Sequence, residues 1–163
     1  MSRLLERLRN YKNNRGMMAN LRCALVESKK HRAWPVLNRL GIAVDDDIAA
    51  FVAGLFATHP EEASTGNLGT TCHHIERQRE GQRSDDAKLT PTERRFQHLL
   101  SAEPGEELHG RVLRMVLLAK AHAIPVNFEK LETDLKFWND RTKINWAAAF
   151  WTPGIQTETE ETK

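Results

Sequence analysis

The segment DDDIAAFVAGLFATHP, residues 45–60, limits what this chain can fold into more than any other stretch. Wound as a helix it is apolar on most sides, and such a helix is stable only at the centre of a packed structure. Three aspartates at its start favour the positive end of the helix dipole, and Pro60 stops it. A central helix needs amphipathic helices around it, and the remaining sequence supplies them. Apolar residues recur at helical spacing almost throughout, and no alternating strand pattern competes. The reading is an all-α fold, a helical bundle of about eight helices that forms one domain or two small helical lobes.

The other elements follow from caps and breakers. Ser2 can cap a helix through about Asn13, with Leu4, Leu5, Leu8 and Tyr11 on one stripe. GMMANLRCALVE continues the pattern, and HRAWPVLNRLG gives a short helix with Pro35 near its first turn and Gly41 closing it. A further helix covers NLGTTCHHIERQRE. In TPTERRFQHLLSA, Thr90 caps, Pro91 takes the first helical position and Glu93 completes a capping box, with Phe96, Leu99 and Leu100 facing the core. A long apolar helix runs over about 106–123 before Pro125. Phe128, Leu131, Leu135 and Trp138 mark the next, and Ile144, Ala147, Ala148 and Trp151 form the stripe of the last. REGQRSDDAKLT is polar and aperiodic, so it reads as a linker between an N-terminal lobe, residues 1–84, and a C-terminal lobe, residues 85–152. Residues 153–163 read as a disordered tail.

A chain of 163 residues can bury a useful core without staples, and two cysteines allow no disulfide framework. Cys23 and Cys72 read as reduced thiols of a cytoplasmic protein. No apolar run approaches the roughly 20 residues needed to span a bilayer, and the basic N-terminus lacks a signal peptide's apolar core. The expectation is a soluble protein with no membrane partner. Its net charge of only +2 hides segregation, because residues 1–40 carry ten Lys or Arg against Glu6 and Glu27, a net +8. Such a segment suits a polyanion, although a solvated helical surface explains it equally well.

Catalytic chemistry has little to stand on. Cys72, His73 and His74 are neighbours, but adjacent helical residues point about 100° apart and do not converge on one metal. No glycine-framed nucleophile turn surrounds either cysteine, and TGNLGTT lacks the lysine of a phosphate-binding loop. The reading is a non-enzymatic chain with no cofactor and no metal. Trp138, Trp146 and Trp151 sit at or beside apolar stripes, where core packing is the commoner role. The basic residues beside them, Arg141 and Lys143, are the ones left to touch a ligand. Arg111 and Arg114 share one side of their helix at i, i+3, with Lys120 on the opposite side.

Taken together, GMMANLRCAL, TERRFQHLL, LRMVLLAKAHAIPVNFEKLETDL and KFWNDRTKINWAAAFW resemble the CasB family, the small helical subunit of the type I-E CRISPR Cascade complex. The resemblance spans most of residues 15–151 and implies a non-catalytic subunit of a guide-RNA surveillance complex acting in antiviral defence. It implies basic surfaces that hold the displaced DNA strand and steady target bound to guide RNA. Implied partners are CRISPR RNA, target and non-target DNA strands, the backbone and large Cascade subunits, and a second copy of the chain. By position it implicates Arg22, Arg94, Arg95, Arg114, Arg141 and Lys143 in nucleic-acid binding, to which the helix spacing adds Arg111. Arg22, Arg95, Arg114 and Arg141 are expected on one side of the fold. Two other readings stay open: a purely structural assembly subunit that binds protein partners only, and a helical DNA-binding regulator. The regulator would need a helix-turn-helix, and no pair of helices shows a tight version of that turn.

Overall fold

The computed structural model describes residues 3–79 and 88–154. Nine α-helices are present among them, one more than expected, with no β-strand: α1 (Arg3–Asn10), α2 (Arg15–Arg22), α3 (Trp34–Arg39), α4 (Asp47–Thr58), α5 (Leu68–Gln78), α6 (Pro91–Leu100), α7 (Glu106–Ala121), α8 (Phe128–Lys136) and α9 (Asp140–Trp151). Short 3₁₀ turns at Cys23–Leu25 and Lys30–Ala33 interrupt the segment between α2 and α3. The expected lobe boundary near residue 84 and most of the expected tail lie outside the described residues. The chain forms two compact units: unit 1 is Met1–Glu62 with Phe128–Lys136, and unit 2 is Ala63–Asn127 with Phe137–Lys163.

Unit 1 is built around α4, against which α1, α2, α8 and the Cys23–Leu25 turn all pack. Asp46 caps α4 by accepting a hydrogen bond from the Ala49 amide at 3.1 Å. From Phe51 to Ala57 every residue of this helix is buried, as an all-round apolar helix requires. Gly54 makes the crossing close, because a Cβ there would lie 2.8 Å from the Leu25 side chain and 3.2 Å from the Leu21 carbonyl oxygen. On the other side Phe56 meets Phe128 of α8 edge-on at 5.7 Å. In α1, Leu4, Leu5 and Leu8 are buried as their spacing predicts, but Tyr11 lies beyond the helix end and is exposed. Gly41 ends α3 with φ +72°, and the Gly41 and Ile42 amides return to the carbonyls of Asn38 and Leu37 at 3.0 and 2.9 Å. This is a Schellman closure, which a glycine adopts without a Cβ penalty.

Unit 2 consists of α5, α6, α7 and α9, with α5 in contact with each of the others. The α6 start is as the sequence predicts: Thr90 Oγ1 accepts from the Glu93 amide at 3.1 Å and Glu93 Oε1 accepts from the Thr90 amide at 2.9 Å. Asn67 and Thr70 form a second reciprocal box at the start of α5, which the sequence reading did not anticipate. α5 and α9 approach so closely that a Cβ on Gly69 would lie 2.1 Å from the Trp146 carbonyl oxygen. At the end of α7 the chain repeats the closure seen at Gly41, with Ala123 at φ 56° in the left-handed position.

The last helix corrects the expected stripe. The buried residues of α9 are Thr142, Trp146, Ala149 and Phe150, whereas Ile144 is 59% exposed and Trp151 40%. The sequence offers two apolar stripes on this helix. The α5 crossing selects the one carrying Trp146, whose backbone meets Gly69.

Candidate nucleic-acid interface

The tryptophan-rich turn between α8 and α9 is held by aromatic packing and by hydrogen bonds to backbone. Trp146 is fully buried and Trp138 meets it edge-on at 4.9 Å. The Trp138 indole Nε1 donates to the Ala102 carbonyl, just past α6, at 3.2 Å. Asn139 caps α9 by accepting from the Thr142 amide at 3.0 Å. This geometry places Arg141 in the first turn of α9 with its side chain exposed. Lys143 is half-buried, its Nζ 5.6 Å from the Trp138 ring centroid, within reach of a cation–π attraction. At the far end of α9, Trp151 donates through Nε1 to Glu93 Oε2 at 3.0 Å and meets Phe96 edge-on at 5.4 Å. α9 therefore runs antiparallel to α6.

Arg94 and Arg95 are exposed on α6, in the turn following Glu93, near the end where Trp151 docks. Neither makes a side-chain hydrogen bond or ion pair among the described residues, and the same holds for Arg114 and Arg141, both exposed. Arg111 differs from its helical neighbour Arg114. Its Nη1 donates to the His98 carbonyl at 2.7 Å and to Ser101 Oγ at 3.3 Å, and its Nη2 lies 3.3 Å from Glu107. Arg111 thus ties α7 to the C-terminal end of α6, the same end that receives Trp138. Unit 2 brings Arg111, Arg141 and Lys143 towards this end of α6 and keeps Arg94 and Arg95 towards the other.

Arg22 belongs to unit 1, at the last position of α2. Its Nη1 donates to the Ala57 carbonyl at 3.0 Å, so it satisfies one of the orphan carbonyls in the last turn of α4. Other cations of the basic N-terminal segment are also engaged. Arg7 donates to the Leu40 carbonyl next to the α3 closure. Arg9 bonds Glu62 through Nε and Nη2 at 2.8 and 2.9 Å and reaches Glu129 of α8 at 3.2 Å. Hydrogen bonding to Glu62 is the main cause that pushes its pKa further up, so the guanidinium remains charged. Lys30 pairs with Glu27 at 2.9 Å. Arg3, Lys12, Arg15, Lys29, Arg32 and Arg39 are exposed without an ion pair among the described residues. Sequence reasoning counted Lys29 and Arg32 only within the net charge of residues 1–40 and read Trp34 only as part of a short helix, so it did not single out the exposed run KKHRAW as a site.

The thiol and imidazoles of TCHH are accounted for separately. Cys72 is fully buried, which pushes its thiol pKa well up and leaves it a neutral core side chain. His73 Nδ1 lies 3.0 Å from the Phe150 carbonyl, and partial burial followed by the charges of His73 and Arg77 lowers the pKa of His74. Among the described residues no three His, Cys, Asp or Glu side chains converge to hold a metal ion, and no helix is long and apolar enough to cross a membrane.

The class this defines is an all-α protein of two compact units whose helices α6, α7 and α9 present exposed arginines that are unpaired among the described residues. A family model described as CRISPR-associated protein Cse2 matches residues 17–151, and the chain belongs to that family, the CasB subunits of the CRISPR Cascade complex. The fold is similar to that of CasB from Thermus thermophilus, at 20% identity and a TM-score of 0.71 over 93% of this chain and 99% of that one. It is also similar to M. ruber CasB, at 24% identity and a TM-score of 0.67 over 97% of each chain. No curated protein matches the chain.

Proposed function

We propose that this chain is a non-catalytic, cytoplasmic Cascade subunit that holds nucleic-acid backbone through Arg94, Arg95, Arg114 and Arg141 and so stabilises the R-loop. Lys143 adds a positioned cation, and Arg22 and Arg111 contribute the N–H groups that their backbone bonds leave over. The reading is supported above all by Arg94, Arg95, Arg114 and Arg141 of unit 2, which are exposed and make no side-chain hydrogen bond or ion pair among the described residues, set against a family whose members are Cascade subunits. Guide-directed recognition leaves sequence to base pairing, so a subunit of this kind needs only to hold phosphates. The exchange of a DNA duplex for a guide–target duplex is close to balanced in free energy. A few backbone contacts are then enough to move it towards the open state.

Exposed Phe137 and Ile144, 65% and 59% accessible in the same corner as Arg141, support a second reading in which this surface meets protein. Its partners would be a second copy of the chain or the backbone and large subunits. One experiment separates the two. A complex reconstituted with Arg94, Arg95, Arg114 and Arg141 all changed to Ala is expected to assemble and to fail in R-loop formation on target DNA. Failure to assemble would favour the purely structural reading.

A further inference from the structure

The run Lys29-Lys30-His31-Arg32-Ala33-Trp34 in unit 1 carries a surface that the arginines of unit 2 do not explain. Every residue of it is exposed except Ala33, and the Trp34 side chain is 44% accessible. His31 stands edge-on to the indole, with ring centroids 6.3 Å apart at 72°. Tryptophan is a costly residue to leave in water, and its indole N–H ordinarily finds an acceptor. Trp138 and Trp151 follow that rule through Ala102 and Glu93, and Trp146 is fully buried. Trp34 does neither, since its N–H has no acceptor among the described residues.

The platform beneath the ring is rigid. Ala33, Val36, Leu37 and Leu40 are buried, the Lys30–Ala33 turn and α3 pack on α2, and Pro35 fixes the backbone one residue beyond the ring. Charge sets the chemistry of the occupant. Lys29 and Arg32 have no ion pair among the described residues, and Glu27, the carboxylate within this stretch, is already 2.9 Å from Lys30. An exposed indole with Lys29 and Arg32 close by in the chain, both without an ion pair among the described residues, fits a polyanion that also offers flat apolar groups. Unpaired nucleobases have that combination, whereas in a duplex the bases are stacked on one another and inaccessible.

We propose that Trp34 is a stacking platform for the bases of single-stranded nucleic acid, with Lys29 and Arg32 holding the flanking phosphates. The proposal rests on the reading of this chain as a nucleic-acid-holding subunit and adds to it a second site, in unit 1, that selects unpaired strands. The test is a fluorescence anisotropy titration of the full chain at low salt with oligo-dT, oligo-rU and a DNA duplex. Trp34→Ala is expected to weaken binding of a single strand about tenfold, within the range that stacking one base supplies, and to leave the duplex unchanged. Loss with either single strand supports the proposal, and the larger loss identifies the strand. Trp34→Phe keeps a ring and is expected to retain most of the affinity, which separates stacking from any effect on folding. Lys29→Ala or Arg32→Ala is expected to lower the salt slope by about one, which Trp34→Ala does not. If the parent binds single strands and Trp34→Ala binds them equally well, the stacking site is wrong and the function proposed above survives. If the parent binds neither strand nor duplex, both are wrong. Displacement of oligo-dT by poly-glutamate at equal charge concentration would assign the surface to an acidic protein partner and overturn the proposal.

Discussion

The two units put the same residue type to different uses. In unit 1, Arg7, Arg9 and Arg22 are engaged by backbone carbonyls and carboxylates, and they tie α1 to α8 and α2 to α4. In unit 2, that stitching is done mainly by aromatics and caps, by Trp138, Trp146 and Trp151 with Glu93, with Arg111 the one arginine seen to tie two helices among the described residues, and Arg94, Arg95, Arg114 and Arg141 are left unengaged. A count of charges along the chain gives unit 1 the stronger claim on a polyanion. The bonding pattern narrows that claim, because a guanidinium already capping a helix has fewer donors for a phosphate, and it leaves exposed cations without an ion pair in both units among the described residues.

The sharpest way to break the contrast is to remove the aromatic stitching. Trp146→Ala empties a fully buried site on α9 beside the Trp138 ring and is expected to cost about 3–5 kcal/mol, measured by denaturant unfolding. By comparison, Trp34→Ala at the exposed site is expected to stay within about 0.5 kcal/mol. Were the two variants equally destabilised, the division between packed and presented tryptophans would fall.

A smaller effect distinguishes the arginines. Arg22→Ala removes the bond to the Ala57 carbonyl and is expected to cost about 1 kcal/mol in a thermal melt. Arg95→Ala, on a solvent-facing position of α6, is expected to change the melt by no more than about 0.5 kcal/mol. Equal losses would mean that the difference in bonding has no energetic weight.

Much of the helix layout was legible because its signals are local. The capping box of Thr90 and Glu93, the aspartate start of α4, and the closure at Gly41 each depend on residues within one or two turns. Pairwise crossings were not legible. Which stripe of α9 turns inward depends on Gly69, more than 70 residues earlier in the chain, and nothing in KINWAAAFW itself distinguishes Ile144 from Trp146. The membership of α8 was hidden for the same reason. Phe128 packs on Phe56 of α4, so a late helix joins the N-terminal unit by a long-range contact that no composition change marks. The site reading was limited likewise. Arg111 and Arg114 look equivalent as an i, i+3 pair, and only the position of the α6 carbonyls separates the tethered residue from the exposed one.

The central claim is that the unengaged arginines of unit 2 hold phosphates, and the salt dependence of binding tests it most directly. Oligonucleotide affinity of the isolated chain would be measured across a salt series for the parent and for Arg94→Ala, Arg95→Ala, Arg114→Ala and Arg141→Ala, with melts alongside. Each variant is predicted to reduce the slope of log Kobs against log salt by about one while its melt stays within about 0.5 kcal/mol of the parent. Slopes that match the parent in all four variants would contradict the account, since they would show that no phosphate is held at any of these positions.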